Sequence, residues 1–285
     1  MKKGMLYTII AYVGIILLVG IYWLNGGTIE SSSYKVIAAA CMCLPLVATI
    51  ITQLVHKEPL LQGIGIRWKV NGWWFVAWLL PPVLVGAMIG LVCLLPGYDF
   101  SLDNAFMDQQ MAKLDSIGLK IYPETVYRTS FLSTFINALI IPTLFAFGEE
   151  VGWRGYLLKQ FSGKKFLFAA IVIGAIWGLW HAPLILMGHN FPDHPVSGVF
   201  VMIAAGVFLA PIAQFIRIKS GSVIAAAIFH GSFNAFAAFL PLSLNRYYDL
   251  LTSPVGLIGI VVFILALLVL HLTDRKVLSS TINIE

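Results

Sequence analysis

Residues 254–272 read PVGLIGIVVFILALLVLHL, an apolar run that contains no Lys, Arg, Asp or Glu. An uncharged stretch of about 20 residues, folded as a helix, is long enough to cross the roughly 30 Å hydrocarbon core of a bilayer. The last apolar run of the chain is therefore predicted to be a membrane-spanning helix.

Apolar runs of similar length recur from one end of the chain to the other. Together with the last run, they predict eight spans at 5–24, 35–55, 73–95, 130–158, 165–187, 197–216, 222–240 and 254–272. The 285 residues are 59% hydrophobic and 11% charged, which is outside the range of soluble domains. We predict an all-α fold, a polytopic transmembrane helical bundle of about eight spans in contact with the lipid bilayer.

The basic residues are distributed unevenly between the two ends of these spans. Five lie on one side: Lys35, Lys113, Lys120, Arg128 and Arg246. The others lie on or toward the opposite side: Lys2, Lys3, Lys57, Arg67, Lys69, Arg154, Lys159, Lys164, Lys165, Arg217, Lys219, Arg275 and Lys276. Because cytoplasmic loops carry an excess of Lys and Arg, we expect both termini to be cytoplasmic. The net charge of +5 is then a feature of topology, and no nucleic-acid partner is expected.

One long polar break, about residues 97–129, carries five acidic residues and is predicted to be an external loop. Its apolar residues recur at near-helical spacing, which predicts an amphipathic helix on the membrane surface, with a lid as the alternative. The chain is accordingly divided into N-terminal helices and this loop (1–129), a core (130–240), and a final helix with a cytoplasmic tail (241–285). A short chain without an evident eukaryotic retention signal favours a bacterial plasma membrane.

Ionisable side chains inside the spans are the informative residues, since each costs about 2.5–3.5 kcal/mol at the bilayer centre. Three of the core helices carry them. Residues 147–158 read FGEEVGWRGYLL, residues 177–183 read WGLWHAP, and residues 228–234 read IFHGSFN. At 1.5 Å per helical residue, Glu149, His181 and His230 are expected near the middle of the membrane, provided that the fourth helix continues to about Leu158.

Helical spacing predicts which of these side chains share a face. Glu150 and Arg154 are four residues apart and can neutralise one another, whereas Glu149 is rotated by about 100° and can point elsewhere. His230 and Asn234 also share a face. Glycines beside these residues would allow the helices to approach closely, so the pattern indicates a polar pocket inside the bundle.

These side chains suit hydrolysis at neutral pH. A carboxylate with a histidine can hold and deprotonate a water molecule, while a second pair of donors stabilises the oxyanion. The set Glu149, His181 and His230 could instead bind one divalent metal such as zinc, with one open position. Spacing alone leaves both alternatives open, so the cofactor is either none or one such metal.

In order and composition, the three motifs resemble a known family, the CAAX-protease and bacteriocin-processing membrane proteins. That family has Glu-Glu-x-x-x-Arg, Phe-x-x-x-His and His-x-x-x-Asn or Asp on successive core helices. Here the first is matched by Glu149, Glu150 and Arg154, and the third by His230 and Asn234. The second is matched at His181, with Trp177 at the position where phenylalanine is usual.

The resemblance implies an intramembrane endopeptidase that acts on a peptide or membrane-protein substrate. It implies that Glu149 and His181 activate water and that His230 and Asn234 stabilise the oxyanion. It also implies supporting roles for Glu150 and Arg154.

Two other classes of function remain open from the sequence. A non-proteolytic bacteriocin-immunity protein or membrane scaffold would keep the fold without the chemistry. A transporter or proton relay would also place carboxylates and histidines near the midplane, but it does not explain the order of the three motifs.

Overall fold

The computed structural model describes residues 2–283, in which the regular secondary structure is helical and there is no β-strand. The helices are α1 (Lys2–Leu24), α2 (Tyr34–Val55), α3 (Gly72–Val92), α4 (Ala105–Asp115), α5 (Pro123–Asn137), α6 (Ile141–Glu150), α7 (Phe166–Trp180), α8 (Ala182–Leu186), α9 (Pro195–Ser220), α10 (Val223–Ala237), α11 (Phe239–Leu242), α12 (Asp249–Thr252), α13 (Leu257–Thr273) and α14 (Arg275–Ser279). A π-helix, Val151–Leu157, directly follows α6.

Within the described residues, seven segments are helical, long and apolar enough to cross a membrane. An eighth is added if the bent pair Pro123–Asn137 and Ile141–Leu157 is counted as one span. The predicted all-α membrane bundle of about eight spans is confirmed.

The fourth span differs from the straight helix predicted at 130–158. It begins earlier, at Pro123, and bends by 48° between α5 and α6. Pro142, near the start of α6, has no N–H to donate to the carbonyl of Ala138. The hydroxyl of Thr143 donates to that carbonyl instead, at 2.7 Å, so the break leaves this buried acceptor satisfied.

Beyond the bend, the helix continues through both glutamates, as the predicted pocket requires. α6 ends at Glu150 and the π-helix carries the chain on to Leu157. π-Helical turns are rare and occur frequently at functional sites. Because the helix does not end at the glutamates, both carboxylates lie inside the bundle, at 2% and 0% exposure for Glu149 and Glu150.

Two glycines bring the neighbouring helices against this segment. A Cβ atom on Gly152 would lie 2.2 Å from Tyr7 Oη of α1 and 2.5 Å from Pro45 Cβ of α2. A Cβ atom on Gly231 of α10 would lie 2.5 Å from the backbone nitrogen of Thr143 in α6. Only a glycine fits at such helix crossings, and the close approach of α10 to α6 places His230 beside the glutamates.

The helices that carry the site form the inside of the bundle. In their most apolar stretches, 56%, 61% and 67% of the residues are buried in the spans Phe166–Leu186, Pro195–Ser220 and Val223–Leu242. The corresponding share is 28% for α1 and 33% for α2. α7, α9 and α10 are therefore the inner helices, and the outer helices present apolar side chains to lipid.

The polar break contains the predicted surface helix, α4, but is shorter than expected because α5 already begins at Pro123. The amide of Asn104 caps α4 by accepting from the backbone N–H of Met107 at 2.9 Å. Met107 is 1% exposed, whereas Ile117, beyond the end of the helix, is 69% exposed. Met107 is thus the one buried residue of α4, and the ring of Phe106 packs beside that of Tyr247, with the centroids 5.1 Å apart.

Candidate active site

A cavity of about 300 Å³ lies inside the bundle and is lined by all four predicted catalytic residues, Glu149, His181, His230 and Asn234. Its remaining walls are mainly apolar and include Leu184, Met202, Leu209, Phe233 and Val255. The structure therefore brings residues from three helices together around one space. The predicted supporting residues, Glu150 and Arg154, are buried next to this cavity without lining it.

Glu149 reaches the cavity from the end of α6. Its Oε2 atom accepts hydrogen bonds from two indole groups, Trp177 Nε1 at 2.8 Å and Trp153 Nε1 at 3.3 Å. Hydrogen bonds to an ionised group are stronger than those between neutral groups. The two indoles fix one oxygen of the carboxylate and leave the other, Oε1, available on the cavity side.

His181 owes its orientation to the end of α7. The regular α-helical hydrogen bonding is interrupted there: Pro183 stands in the first turn of α8, and the His181 backbone N–H donates to the carbonyl of Gly178 at 3.2 Å. The carbonyl of Trp177 is thereby released, and His181 Nδ1 donates to it at 2.8 Å. Since a carbonyl can only accept, Nδ1 carries the proton of the neutral ring and Nε2 carries the lone pair.

Glu150 joins the two motifs that the sequence keeps 80 residues apart. Its Oε1 atom accepts from Arg154 Nη1 at 2.8 Å and from His230 Nδ1 at 2.9 Å. The predicted ion pair between Glu150 and Arg154 is thus present. The bond to His230 was not predicted, and it orients the opposite ring nitrogen, Nε2, away from Glu150.

Trp177 contacts most of the polar groups of the site. Besides donating to Glu149, its ring lies 4.7 Å from Arg154 Cζ, within cation–π distance. The ring centroid lies 5.4 Å from that of His230 and 5.5 Å from that of His181. At a position where the family usually has phenylalanine, tryptophan supplies an N–H group that phenylalanine lacks.

Asn234 lies one turn beyond His230 on α10, as the spacing predicts, and its side chain is exposed at the cavity. His230 in the preceding turn is only 7% exposed. The pair therefore extends from a buried position in the cavity to an exposed one.

Sequence analysis did not identify the contribution of His189 to this cavity. His189 follows α8 in a loop and lines the cavity together with Cys41 of α2. Its ring packs at 5.9 Å from that of Tyr34, and burial lowers the pKa of His189 to about 4, so the ring is neutral at physiological pH. No local pattern marks a loop histidine as part of a site, because its place depends on how α2 packs.

The metal-binding alternative requires three ligands around one point. Among residues 2–283, no three His, Cys, Asp or Glu side chains are arranged to hold a metal ion. Glu149, His181 and His230 line the same cavity, but their side chains do not converge on a common centre. As arranged, they do not fit a zinc site, and we assign no catalytic step to a metal.

Comparison with known proteins gives a match over the segment that carries all three motifs. Residues 130–236 match the family model described as type II CAAX prenyl endopeptidase, Rce1-like. This segment is therefore similar to the Rce1-like family. The resemblance inferred from the motifs is confirmed, and the Rce1-like segment includes every predicted site residue from Glu149 to Asn234.

A curated relative extends the match beyond that segment. The chain is 30% identical over 154 residues to CAAX prenyl protease 2 of Methanococcus maripaludis, covering 52% of this chain and 53% of the relative. The chain thus spans about half the length of the relative it matches.

Proposed function

We propose that this protein is an intramembrane endopeptidase that hydrolyses a peptide bond in a membrane-associated protein or peptide. The observation that carries the proposal is the cavity, where Glu149, His181, His230 and Asn234 meet inside an apolar bundle. Ionisable groups are costly in a membrane and are retained there for function.

The first step is activation of water by Glu149 and His181. Glu149 Oε1 accepts one proton of the water, while the lone pair on His181 Nε2 accepts a hydrogen bond from the other. The resulting hydroxide attacks the carbonyl carbon of the scissile bond, and Glu149 then holds the transferred proton. General-base catalysis of this kind contributes about 10²–10⁴-fold in rate.

The second step is stabilisation and collapse of the tetrahedral intermediate. His230, doubly protonated and with its Nδ1 proton held by Glu150, donates from Nε2 to the oxyanion, and the Asn234 amide supplies a second donor. Removing one oxyanion donor typically costs about 10²–10³ in kcat. The C–N bond breaks as Glu149 returns its proton to the leaving amine, so that both products and the resting enzyme are restored.

The walls of the cavity favour a particular kind of substrate. Leu184, Met202 and Leu209 offer apolar contacts next to the polar groups. An extended peptide with apolar side chains flanking the cleaved bond would bury those side chains there. The proposed partners are thus a peptide or membrane-protein segment and the lipid bilayer.

The test compares wild type with Glu149→Gln, which keeps the size of the side chain but cannot take up a proton. The exposed Glu124 at the start of α5 provides the matched control, Glu124→Gln. The three proteins are expressed at equal membrane levels in the native host, and new protein termini are identified by mass spectrometry. We expect termini that are present with wild type and Glu124→Gln and absent with Glu149→Gln.

Identical termini in all three strains would refute the proposed hydrolysis by Glu149. A phenotype rescued equally by wild type and Glu149→Gln would then favour an immunity or scaffold role for the same fold.

A further inference from the structure

Arg217, in the last turn of α9, is a buried cation without a carboxylate partner. The residue is 6% exposed. Its Nε atom has no hydrogen-bond partner, and Nη2 makes a single long bond of 3.5 Å to the carbonyl of Ile64. Within residues 2–283, no Asp or Glu forms an ion pair with this side chain. Buried charges are ordinarily paired, so the guanidinium lacks the counter-ion that its burial requires.

The carboxylates at this end of the bundle are paired with other cations. Among the described residues, Glu58 after α2 and Asp274 after α13 are the acidic residues at the same end as Arg217. Glu58 forms an ion pair with Lys3, and Asp274 accepts a hydrogen bond from Lys219 at 2.7 Å. The carbonyl groups at the C-terminus of α9 offer Arg217 only about half an elementary charge. The described chain therefore does not balance the charge of Arg217.

Two more basic side chains lie around the loop that joins α2 to α3. A Cβ atom on Gly65 would lie 1.8 Å from Arg217 Nη2, and one on Gly63 would lie 2.6 Å from Lys159 Nζ. Arg67, further along the loop, is exposed, and its charge is close enough to act on that of Arg217. Within the described residues, neither Lys159 nor Arg67 has an ion-pair partner. One short loop thus holds several cations together without an anion.

The backbone of this loop is fixed in place and has donors of its own. The Ser222 hydroxyl donates to the Arg67 carbonyl at 2.6 Å, and the Val223 N–H donates to the Gly65 carbonyl at 2.9 Å. Ile64 and Gly65 are buried, yet their N–H groups have no acceptor within residues 2–283. Because buried N–H groups are almost always paired, these two point to an acceptor that does not belong to the described chain.

We infer that Arg217, Arg67, Lys159 and the backbone of residues 63–67 form a binding site for a phosphate group. The negative charge of a phosphate would balance the buried guanidinium, and its oxygens would accept hydrogen bonds from the side chains and from the loop. Arginine suits this role because it can donate two parallel N–H···O bonds to a phosphate. The N-terminus of α10, which begins beside the loop, also favours an anion.

The site adjoins the segment that carries the catalytic carboxylates without being part of the cavity. None of Arg217, Arg67 and Lys159 lines the cavity. The loop instead packs against the π-helix, where a Cβ atom on Gly155 would lie 3.2 Å from the carbonyl oxygen of Ile64. A bound phosphate would therefore stabilise the packing of the loop on the π-helix. This inference does not depend on the proposed hydrolysis.

Thermal unfolding of the purified full chain in dodecyl maltoside, a detergent without phosphate, tests the inference. Inorganic phosphate is compared with chloride at equal ionic strength. Short-chain phosphatidic acid is compared with diacylglycerol, which has the same acyl chains but no phosphate. A ligand that binds only the folded protein raises the unfolding temperature, and the dependence on its concentration gives an apparent Kd.

The variants weaken the site at positions of different burial. Arg217→Lys keeps the buried charge but loses the paired donors of the guanidinium. Arg67→Gln and Lys159→Gln remove cations from an exposed and a half-buried position, where the fold depends less on the side chain. Arg128→Gln, exposed on α5, is the matched control.

We expect phosphatidic acid, inorganic phosphate or both to raise the unfolding temperature of wild type and Arg128→Gln. A response to phosphatidic acid alone would assign the site to a lipid headgroup, and a response to inorganic phosphate would assign it to a soluble phosphate compound. In Arg217→Lys and Arg67→Gln the apparent Kd should weaken by about tenfold or more, since each loses a charge-assisted hydrogen bond.

No response of wild type beyond that to chloride and diacylglycerol would overturn the inference. An equal response of wild type, Arg67→Gln and Lys159→Gln would overturn it as well, and this comparison decides the matter even where Arg217→Lys fails to fold.

Discussion

Replacing Glu150 by methionine tests the buried network behind the cavity. Methionine has nearly the volume of glutamate but cannot accept a hydrogen bond. In the Glu150→Met protein, Arg154 loses its bond at 2.8 Å and His230 loses its bond at 2.9 Å. Arg154 is 1% exposed, and Nη1 is the only one of its three guanidinium nitrogens with a hydrogen-bond partner among the described residues, so its charge would remain buried without compensation.

Breaking a buried ion pair by removing one partner costs about 3–5 kcal/mol, most of it from the charge that remains. Removing both charges in Glu150→Met/Arg154→Met eliminates that cost, and buried pairs replaced by apolar residues of similar volume are often neutral in stability. We therefore expect the double variant to recover to within about 1 kcal/mol of wild type. A double-mutant cycle isolates this coupling.

The assay is unfolding in mixed micelles by titration with a denaturing detergent, followed by far-UV circular dichroism, together with cleavage of an identified substrate. The double variant is expected to regain stability but not cleavage, because His230 Nδ1 still lacks its acceptor. The reasoning is refuted if Glu150→Met unfolds like wild type, or if the double variant is as unstable as the single one. Wild-type cleavage by the double variant would show that Glu150 does not position His230.

Three further measurements address other parts of the structure. Trp177→Phe keeps an aromatic ring but removes the N–H donor to Glu149, a hydrogen bond worth about 1.5–3 kcal/mol. We expect kcat to fall roughly tenfold or more at equal membrane abundance, and an unchanged kcat would show that the indole of Trp153 suffices. Gly152→Ala should lower the free energy of unfolding by about 1–3 kcal/mol through overpacking, whereas Gly86→Ala, with no atom within 4 Å of the added methyl group, should not. Equal unfolding curves for the two variants would refute the close approach of α1 and α2 to Gly152. Burial raises the pKa of Glu58, but the hydrogen bond and charge of Lys3 outweigh it and hold the pKa below its usual value. Because the pKa of Glu58 is lower in the folded protein, its pair with Lys3 stabilises the fold above the unfolded pKa, and this contribution is lost as the pH falls through the folded pKa. Lys3→Met should therefore lower the free energy of unfolding by up to about 1 kcal/mol at pH 7 and by little at pH 3. An equal loss at both pH values would contradict this assignment.

The spans and the motif pairs were predictable because each depends on a short stretch of chain. Hydropathy over about 20 residues identifies a span, and spacing by four places Glu150 beside Arg154 and His230 beside Asn234. The common depth of the three motifs followed from counting residues along helices. These predictions required no knowledge of which helices are neighbours.

The remaining features depend on such neighbours or on small changes of the backbone. A proline within an apolar run is compatible with a continuous membrane helix, so hydropathy did not reveal the bend before Pro142. The donors to Glu149 come from two helices, and tryptophan at position 177 fits an apolar run as well as phenylalanine does. His189 lies in a loop whose position is set by packing against α2.

The bond between Glu150 and His230 gives the adjacent carboxylates different tasks. Successive residues on a helix are rotated by about 100°, so only one of the two can face the cavity while the other faces Arg154. Glu149, facing the cavity, has Oε1 available for a water molecule. Glu150 has no such access, but its contact with His230 makes it a positioning residue as well as the partner of a buried arginine. In the proposed mechanism Glu149 activates the water molecule, while Glu150 pairs with Arg154 and orients His230.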